Sequence, residues 1–167
     1  MKTLNYLLIL DRAAAPGVYG KVSGTVNSFN RNGFPSKSTL ISPKGIKSYI
    51  KLLSIMFSDK SDILLLRFNS KISFTYPLLC LYRKIYQRIT ICDVPTPLVN
   101  LGIELSTVHK FSFKNIIHNF CYIFVFPISF MSFNLILEYA HESKWISFFS
   151  RKNRILISNA VEINHKH

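Results

Sequence analysis

The chain predicts an α/β fold: a Rossmann-like, mostly parallel sheet with helices on both faces. Three features carry this expectation. Short apolar runs alternate with stretches of helical periodicity along the whole chain. The run Ile63-Leu64-Leu65-Leu66 has no polar interruption, as a strand covered on both faces should read. The length, 167 residues, suits one domain of ordinary size.

The elements follow in order. Tyr6 to Leu10 is a first buried strand, and the glycine-containing loop Asp11 to Lys21 opens a helix whose face is marked by Val18, Val22, Val26 and Phe29. Gly33 is placed to cap that helix. Ser38 to Ile41 forms a weak second strand, and Ile46, Ile50, Leu53 and Phe57 mark a second helical stripe after Pro43 and Gly45. Ile63 to Leu66 is the third strand, closed by Arg67, and helix returns from Phe74 to Tyr86. Ile89 to Cys92 is the fourth strand, halted at Asp93-Val94-Pro95-Thr96-Pro97, where two prolines prevent regular structure. An amphipathic helix from Phe113 to Phe126 breaks at Pro127 and leads to a buried strand from Phe133 to Leu137. A short helix marked by Trp145, Ile146 and Phe149 precedes the last strand, Ile155 to Ile157.

Composition narrows the functional classes. With 49% hydrophobic and 17% charged residues the chain has a core to bury and lies outside the disordered class. Cys80, Cys92 and Cys121 stand far apart in apolar runs, which fits buried reduced thiols and gives no zinc spacing. Lys and Arg total 21 against 8 Asp and Glu, a formal net charge of +13. The cations are dispersed instead of gathered into a stripe or arginine-rich arm, which disfavours nucleic acid. An anionic lipid surface, a nucleotide-sugar or a lipid-linked pyrophosphate is drawn by the same field, and an ordinary basic surface fits the same composition. The uncharged run from Ile116 to Leu137 approaches the ~20 residues of a bilayer span, but Pro127 and Ser129 fall in its middle. Residues 1–10 begin like a signal peptide, yet the apolar core is short and Asp11 and Arg12 end it.

In a parallel sheet ligands bind beyond the carboxyl ends of the strands, so candidate residues are sought there. Gly17, Val18, Tyr19, Gly20 and Lys21 follow the first strand at a helix start, where backbone N–H groups favour an anion. Their spacing, with Gly24, is neither the dinucleotide fingerprint nor a P-loop, and a plain turn and helix start fits the same residues. Arg67 sets a guanidinium at the ligand edge, suited to phosphate or a sugar hydroxyl, or to an edge charge reaching solvent. Asp93 occupies the equivalent place after the fourth strand, as a general base, a hydroxyl ligand or a turn-capping carboxylate. His109, His118 and His141 show no metal-ligand spacing, and no G-x-S-x-G nucleophile motif occurs.

Four of these segments together resemble a family. Gly17-Val18-Tyr19-Gly20-Lys21-Val22 with Asn32-Gly33-Phe34, Ile63-Leu64-Leu65-Leu66-Arg67-Phe68, Ile89-Thr90-Ile91-Cys92-Asp93-Val94-Pro95-Thr96-Pro97 and Ile157-Ser158-Asn159-Ala160-Val161-Glu162 are similar, in order, to elements of the amino-terminal domain of bacterial two-lobed retaining glycosyltransferases. The family is the glycosyltransferase-4 group of polysaccharide biosynthesis. Departures are Ala160 for the usual Gly and Asn134 for a frequent Asp. The family's donor-lobe features, a basic pair and a Glu-x7-Glu motif, have no counterpart in residues 1–167.

The resemblance implies a single acceptor-side domain over residues 1–167, with the donor lobe absent from it. It implies hexose transfer from a nucleotide-sugar to a lipid-linked saccharide of O-antigen or capsule type, with no cofactor and no metal in the active site. This half alone is expected to be inactive, with a separate donor-lobe polypeptide as a further partner. Asp93 is then the catalytic candidate, and Gly17, Val18, Tyr19, Gly20, Lys21 and Arg67 are the substrate-binding ones. The expected location is cytoplasmic, peripheral at the inner face of a bacterial plasma membrane. The alternatives are a small integral membrane protein of a polysaccharide locus, spanning at Ile116 to Leu137, or a noncatalytic remnant.

Overall fold

A computed structural model describes residues 2–10, 16–42, 44–94, 124–139 and 154–157. Within them the elements run β1 (Leu4–Ile9), α1 (Pro16–Arg31), β2 (Ser36–Ile41), α2 (Gly45–Ser58), β3 (Ile63–Arg67), a 3-10 turn (Ser70–Thr75), α3 (Tyr76–Ile85), β4 (Ile89–Val94), α4 (Phe126–Ser132), β5 (Leu135–Tyr139) and β6 (Arg154–Ile157). The strands form one six-stranded sheet in the order β2-β1-β3-β4-β5-β6. Every pairing is parallel, with Leu4 opposite both Ser36 and Ile63, and Arg67 opposite Asp93. The expected Rossmann-like α/β fold is present.

Helices cover both faces because crossovers between parallel strands are right-handed. The step from β1 to β2 runs one way along the sheet, and later steps run the other. Accordingly α1 packs on one face, with Val22 and Val26 against Leu4, Tyr6, Leu8 and Leu65. On the opposite face α2, α3 and α4 bury Leu52, Met56, Leu79, Phe126 and Phe130 against Leu7, Leu64, Leu66, Cys92 and Ile136. Phe68, just past β3, stacks on Phe130 at 5.0 Å and meets Phe126 edge-on at 5.1 Å between ring centroids, joining the β3 exit to α4.

Several expectations shift. β1 begins two residues before Tyr6 and β2 two before Ser38, since pairing with β3 and Pro35 extends both. The predicted α2 stripe is wrong at its start: Ile46 and Ile50 are exposed, and Ser48, Leu52 and Met56 are buried. α2 is apolar nearly all round, so periodicity offers two faces, and a bond from the Lys44 N–H to Ser48 Oγ turns Ser48 inward. Pro127 lies in the first turn of α4, where its missing N–H costs nothing, and does not break a helix. β5 begins at Leu135 because Phe133 ends α4 and Asn134 turns back on β4. Its backbone N–H donates to Thr90 O at 3.0 Å, and its Oδ1 accepts from Thr90 N at 2.8 Å. Gly33 caps α1 as expected, at φ 76°, with Phe34 N donating to Phe29 O.

The stretch from Phe124 to Leu137 is therefore a short helix and a strand, with Ile136 fully buried, and not part of a continuous span. Among the described residues no helix is long and apolar enough to cross a membrane. The expected helix from Phe113, apart from its last residues, the helix marked by Trp145, Ile146 and Phe149, Cys121, the three histidines and the element from Ser158 lie outside the described residues.

At the amino ends of the strands a buried polar network holds the layers together. Asp59, in the α2–β3 connection, accepts from Arg83 Nη1 at 3.2 Å and from Asn5 Nδ2 at 3.0 Å, and bonds Ser61 Oγ. Arg83 also donates to the carbonyls of Ser61 and Ile89, and Asn5 Oδ1 accepts from Thr39 Oγ1. Arg83 is wholly buried. Burial pulls its pKa down, and the Asp59 charge opposes that.

Breaking one side of this pair strands the other. Arg83→Leu is expected to lower unfolding free energy by about 3–5 kcal/mol in urea denaturation, and Asp59→Leu/Arg83→Leu by less than the sum of the single changes. Cys80 and Cys92 are buried free thiols. Burial pushes Cys80 up to about 11, only partly offset by the Ser132 and Thr90 hydroxyls, and Cys92 well above its ordinary value of 9.0. Both thiols ionise more readily unfolded than folded. The contribution of Cys80 to stability is therefore complete below pH 9.0 and is lost as pH rises through about 11, and that of Cys92 has the same sign. Denaturation midpoints should fall across that window, less so in Cys80→Ala, and neither thiol should react with a disulfide reagent at pH 8 before unfolding.

Candidate functional site at the sheet switch point

The strand order has one reversal. β1 lies between β2 and β3, so the chain leaves β1 in one direction and all later strands build in the other. The carboxyl ends of β1 and β3 part at this switch point, the place where open α/β sheets bind ligands.

Strand alternation sets which side chains arrive there. Tyr6 and Leu8 of β1, Leu65 and Arg67 of β3, and Ile91 and Asp93 of β4 share the face that α1 covers. Arg67 and Asp93 are register partners, and Arg67 Nη1 lies 3.7 Å from Asp93 Oδ2. The Tyr6 hydroxyl reaches across β3 to donate a hydrogen bond to the same carboxylate oxygen. Asp93 is almost completely buried, whereas the Arg67 side chain is 19% exposed. The carboxylate is the inner member of the cluster and the guanidinium its outer one.

Lys21 enters from α1. Its pKa is lowered, first by partial burial and then by the Arg67 charge, with Asp93 pulling the other way. Lys21 is therefore within electrostatic reach of both. Two cations against one carboxylate leave the cluster positive, and the amino end of α1 adds to the same sign. Such a cluster attracts an anion and offers N–H donors to it.

The remaining predicted residues divide. Gly17, Val18, Tyr19 and Gly20 lie in the opening turns of α1, which starts at Pro16, so they are helical and not part of a loop. Gly17 and Gly20 have ordinary negative φ, and a Cβ at either would meet nothing within 4 Å. No tight turn or close packing among the described residues requires them, although each weakens a helix by about 1 kcal/mol relative to Ala. Val18 is half-buried and packs against the core under α1. Asp93 also differs from expectation: it sits inside β4, which runs on to Val94, and not in the turn after it. Pairing with β5 at Leu137 extends the strand that far.

Tyr6 was legible only as a strand residue. A tyrosine in an otherwise aliphatic strand was nevertheless a signal, because a buried phenol requires a partner for its hydroxyl. A separate open hollow of about 400 Å³ lies at the opposite edge, lined by Thr3, Leu4, Pro35, Ser36, Lys37, Lys60 and Ser61. It gathers no carboxylate–cation cluster, and the switch point remains the better candidate. Among the described residues no group of three metal-ligating side chains comes together.

The coupling within the cluster has a measurable sign. Asp93 raises the Lys21 pKa and Arg67 lowers it. Asp93→Asn should shift the Lys21 titration further down and Arg67→Gln should shift it up, followed by NMR of the lysine side chain. Tyr6→Phe removes a hydrogen bond to a buried charge, and should cost about 1.5–3 kcal/mol of stability in urea denaturation.

No family model, curated protein or solved structure matches the chain.

Proposed function

We propose that this chain is the acceptor-side lobe of a two-lobed retaining glycosyltransferase that moves a hexose from a nucleotide-sugar to a lipid-linked polysaccharide precursor. The observation that carries the reading is the Arg67–Asp93 pair at the switch point of a Rossmann-like sheet, with Lys21 of α1 close enough to feel both charges. The order of the glycine helix, the Arg-terminated strand and the Asp-bearing strand adds support, as the same order marks the family it resembles.

In this reading Arg67 and Lys21 hold the phosphate or pyrophosphate of the acceptor, with the amino end of α1 facing the same anion. Asp93 orients Arg67: its carboxylate is buried, bonded by Tyr6 and faced by the guanidinium, and it fixes the direction in which the remaining N–H donors point. The nucleotide-sugar belongs to a second lobe, joined or separate, whose closure would complete the cleft.

Inorganic pyrophosphate is the simplest probe. Titration calorimetry at low salt should detect binding to the purified chain, weakened at least tenfold by Arg67→Gln and by Lys21→Gln, in line with hydrogen bonds to charged groups. Lys37→Gln, at the opposite edge, should bind as the unaltered protein does. Absence of binding, or equal affinity in all three variants, would defeat the proposal.

A further inference from the structure

We infer that the seam between α2 and α3 is the docking site for an amphipathic helix of a partner protein, one whose polar face is acidic. The inference rests on the surface of these two helices and is independent of any ligand at the switch point.

α2 carries two apolar stripes, and the core takes only one. Ser48, Leu52 and Met56 face the sheet, while Ile46, Ile50, Leu53 and Phe57 recur at helical spacing along the neighbouring side. Leu53 and Phe57 are half-buried against the edge of the core, and Ile46 and Ile50 are 76% and 60% exposed. Phe57 meets Tyr82 of α3 at 5.9 Å between ring centroids, so this stripe borders α3. α3 has a matching surplus. Tyr76, Leu79 and Cys80 face the sheet, whereas Leu78, Leu81 and Ile85 recur on the opposite side and are 62%, 58% and 70% exposed. Tyr82 stands beside Leu78 and Ile85 by helical spacing, on the α2 side. Both helices run back antiparallel to the strands they join, so the two stripes lie alongside each other with the Phe57–Tyr82 contact between them. A helix apolar on two sides is normally enclosed, and two parallel ridges of this spacing fit the apolar face of a third helix.

Charge selects the occupant. Neither α2 nor α3 contains an acidic residue. Exposed lysines border the paired stripes on both outer sides: Lys47 and Lys51 beyond the isoleucines of α2, and Lys84 one turn from Leu81 on α3. The nearest carboxylates are spent elsewhere, with Asp59 buried on Arg83 and Asp62 engaged by Thr3 at the amino edge of the sheet. A bound helix would seat leucine-like side chains between the stripes and hold its flanks against lysines on either side, so acidic flanks are favoured and basic ones repelled. A second copy of this chain would bring lysines against lysines. A nucleic acid would account for the lysines and leave the aliphatic stripes unexplained.

The probe is a labelled synthetic peptide of about 18 residues, long enough to form a helix, with leucines recurring along one face and glutamates elsewhere. Its counterpart carries lysines in place of the glutamates. By fluorescence anisotropy the acidic peptide should bind the full chain and the basic one should not. Leu81→Ser/Ile85→Ser should weaken binding at least tenfold, as two apolar side chains no longer bury their surface. Lys51→Gln/Lys84→Gln should weaken it about fivefold at low salt and less at high salt. The lysine pair is solvent-exposed and serves as the test should the serine variant fail to fold. Ile128→Ser, on α4 and outside the seam, should bind as the unaltered chain does. No binding of the acidic peptide, equal binding of both peptides, or unaltered affinity in folded variants of both kinds would overturn the inference. So would a dimer of the unaltered chain that Leu81→Ser/Ile85→Ser dissociates, which would assign the seam to a second copy, or flotation on anionic vesicles with no peptide binding, which would assign it to lipid.

Discussion

The fold depends on how Arg83 is buried. A guanidinium with no exposed surface is tolerable only where nearly every donor has an acceptor and a carboxylate balances the charge. Asp59 supplies the charge, and the carbonyls of Ser61 and Ile89 supply acceptors. These partners belong to different pieces of chain: the α2–β3 connection, the end of α3 and the start of β4. Through Asn5 and Thr39 the same network extends to β1 and β2. Displacing any of these segments would leave a buried polar group unpaired, so the network fixes the amino edge of the sheet and the register of four strands.

At the carboxyl edge the described polar groups are partly open to solvent, with Asp93 innermost, Tyr6 bonded to it, Arg67 facing it and Lys21 on α1. The two carboxylates sit in contrasting surroundings. Asp59 is surrounded by donors and serves the fold. Asp93 accepts from the Tyr6 phenol and faces the partly exposed Arg67 guanidinium. The right-handed crossovers place α1 on the face that carries Arg67 and Asp93 while gathering α2, α3 and α4 on the other. The exposed apolar side chains of α2, α3 and α4 and the switch-point cluster therefore lie on opposite faces of one sheet.

What could be read from the residues was whatever depends on neighbours in sequence. Unbroken apolar runs marked strands buried on both faces, and Ile63 to Leu66 was read almost to the residue. The Val18, Val22, Val26 spacing marked the α1 face, although Phe29 of the same stripe is exposed and meets Phe34 past the helix end, and Gly33 marked that end, because a residue tolerant of positive φ closes a helix that way. Arg67 and Asp93 were recognisable as candidates from their positions at strand ends. α2 was misread at Ile46 and Ile50, since eight apolar residues in a short helix allow two faces and periodicity has no means to choose between them.

Local pattern by itself determined the fold class, the helix and strand succession and the basic character of the surface, because these follow from side-chain periodicity and composition. Only the tertiary structure decided which residues became partners. Tyr6 and Asp93 are 87 positions apart, Asn5 and Asp59 are 54 apart, and Asp59 and Arg83 are 24 apart. Nothing local encodes those pairings. They arise because parallel strands distant in sequence are set side by side, and because low-dielectric burial compels each polar group to find whichever partner the sheet brings within reach.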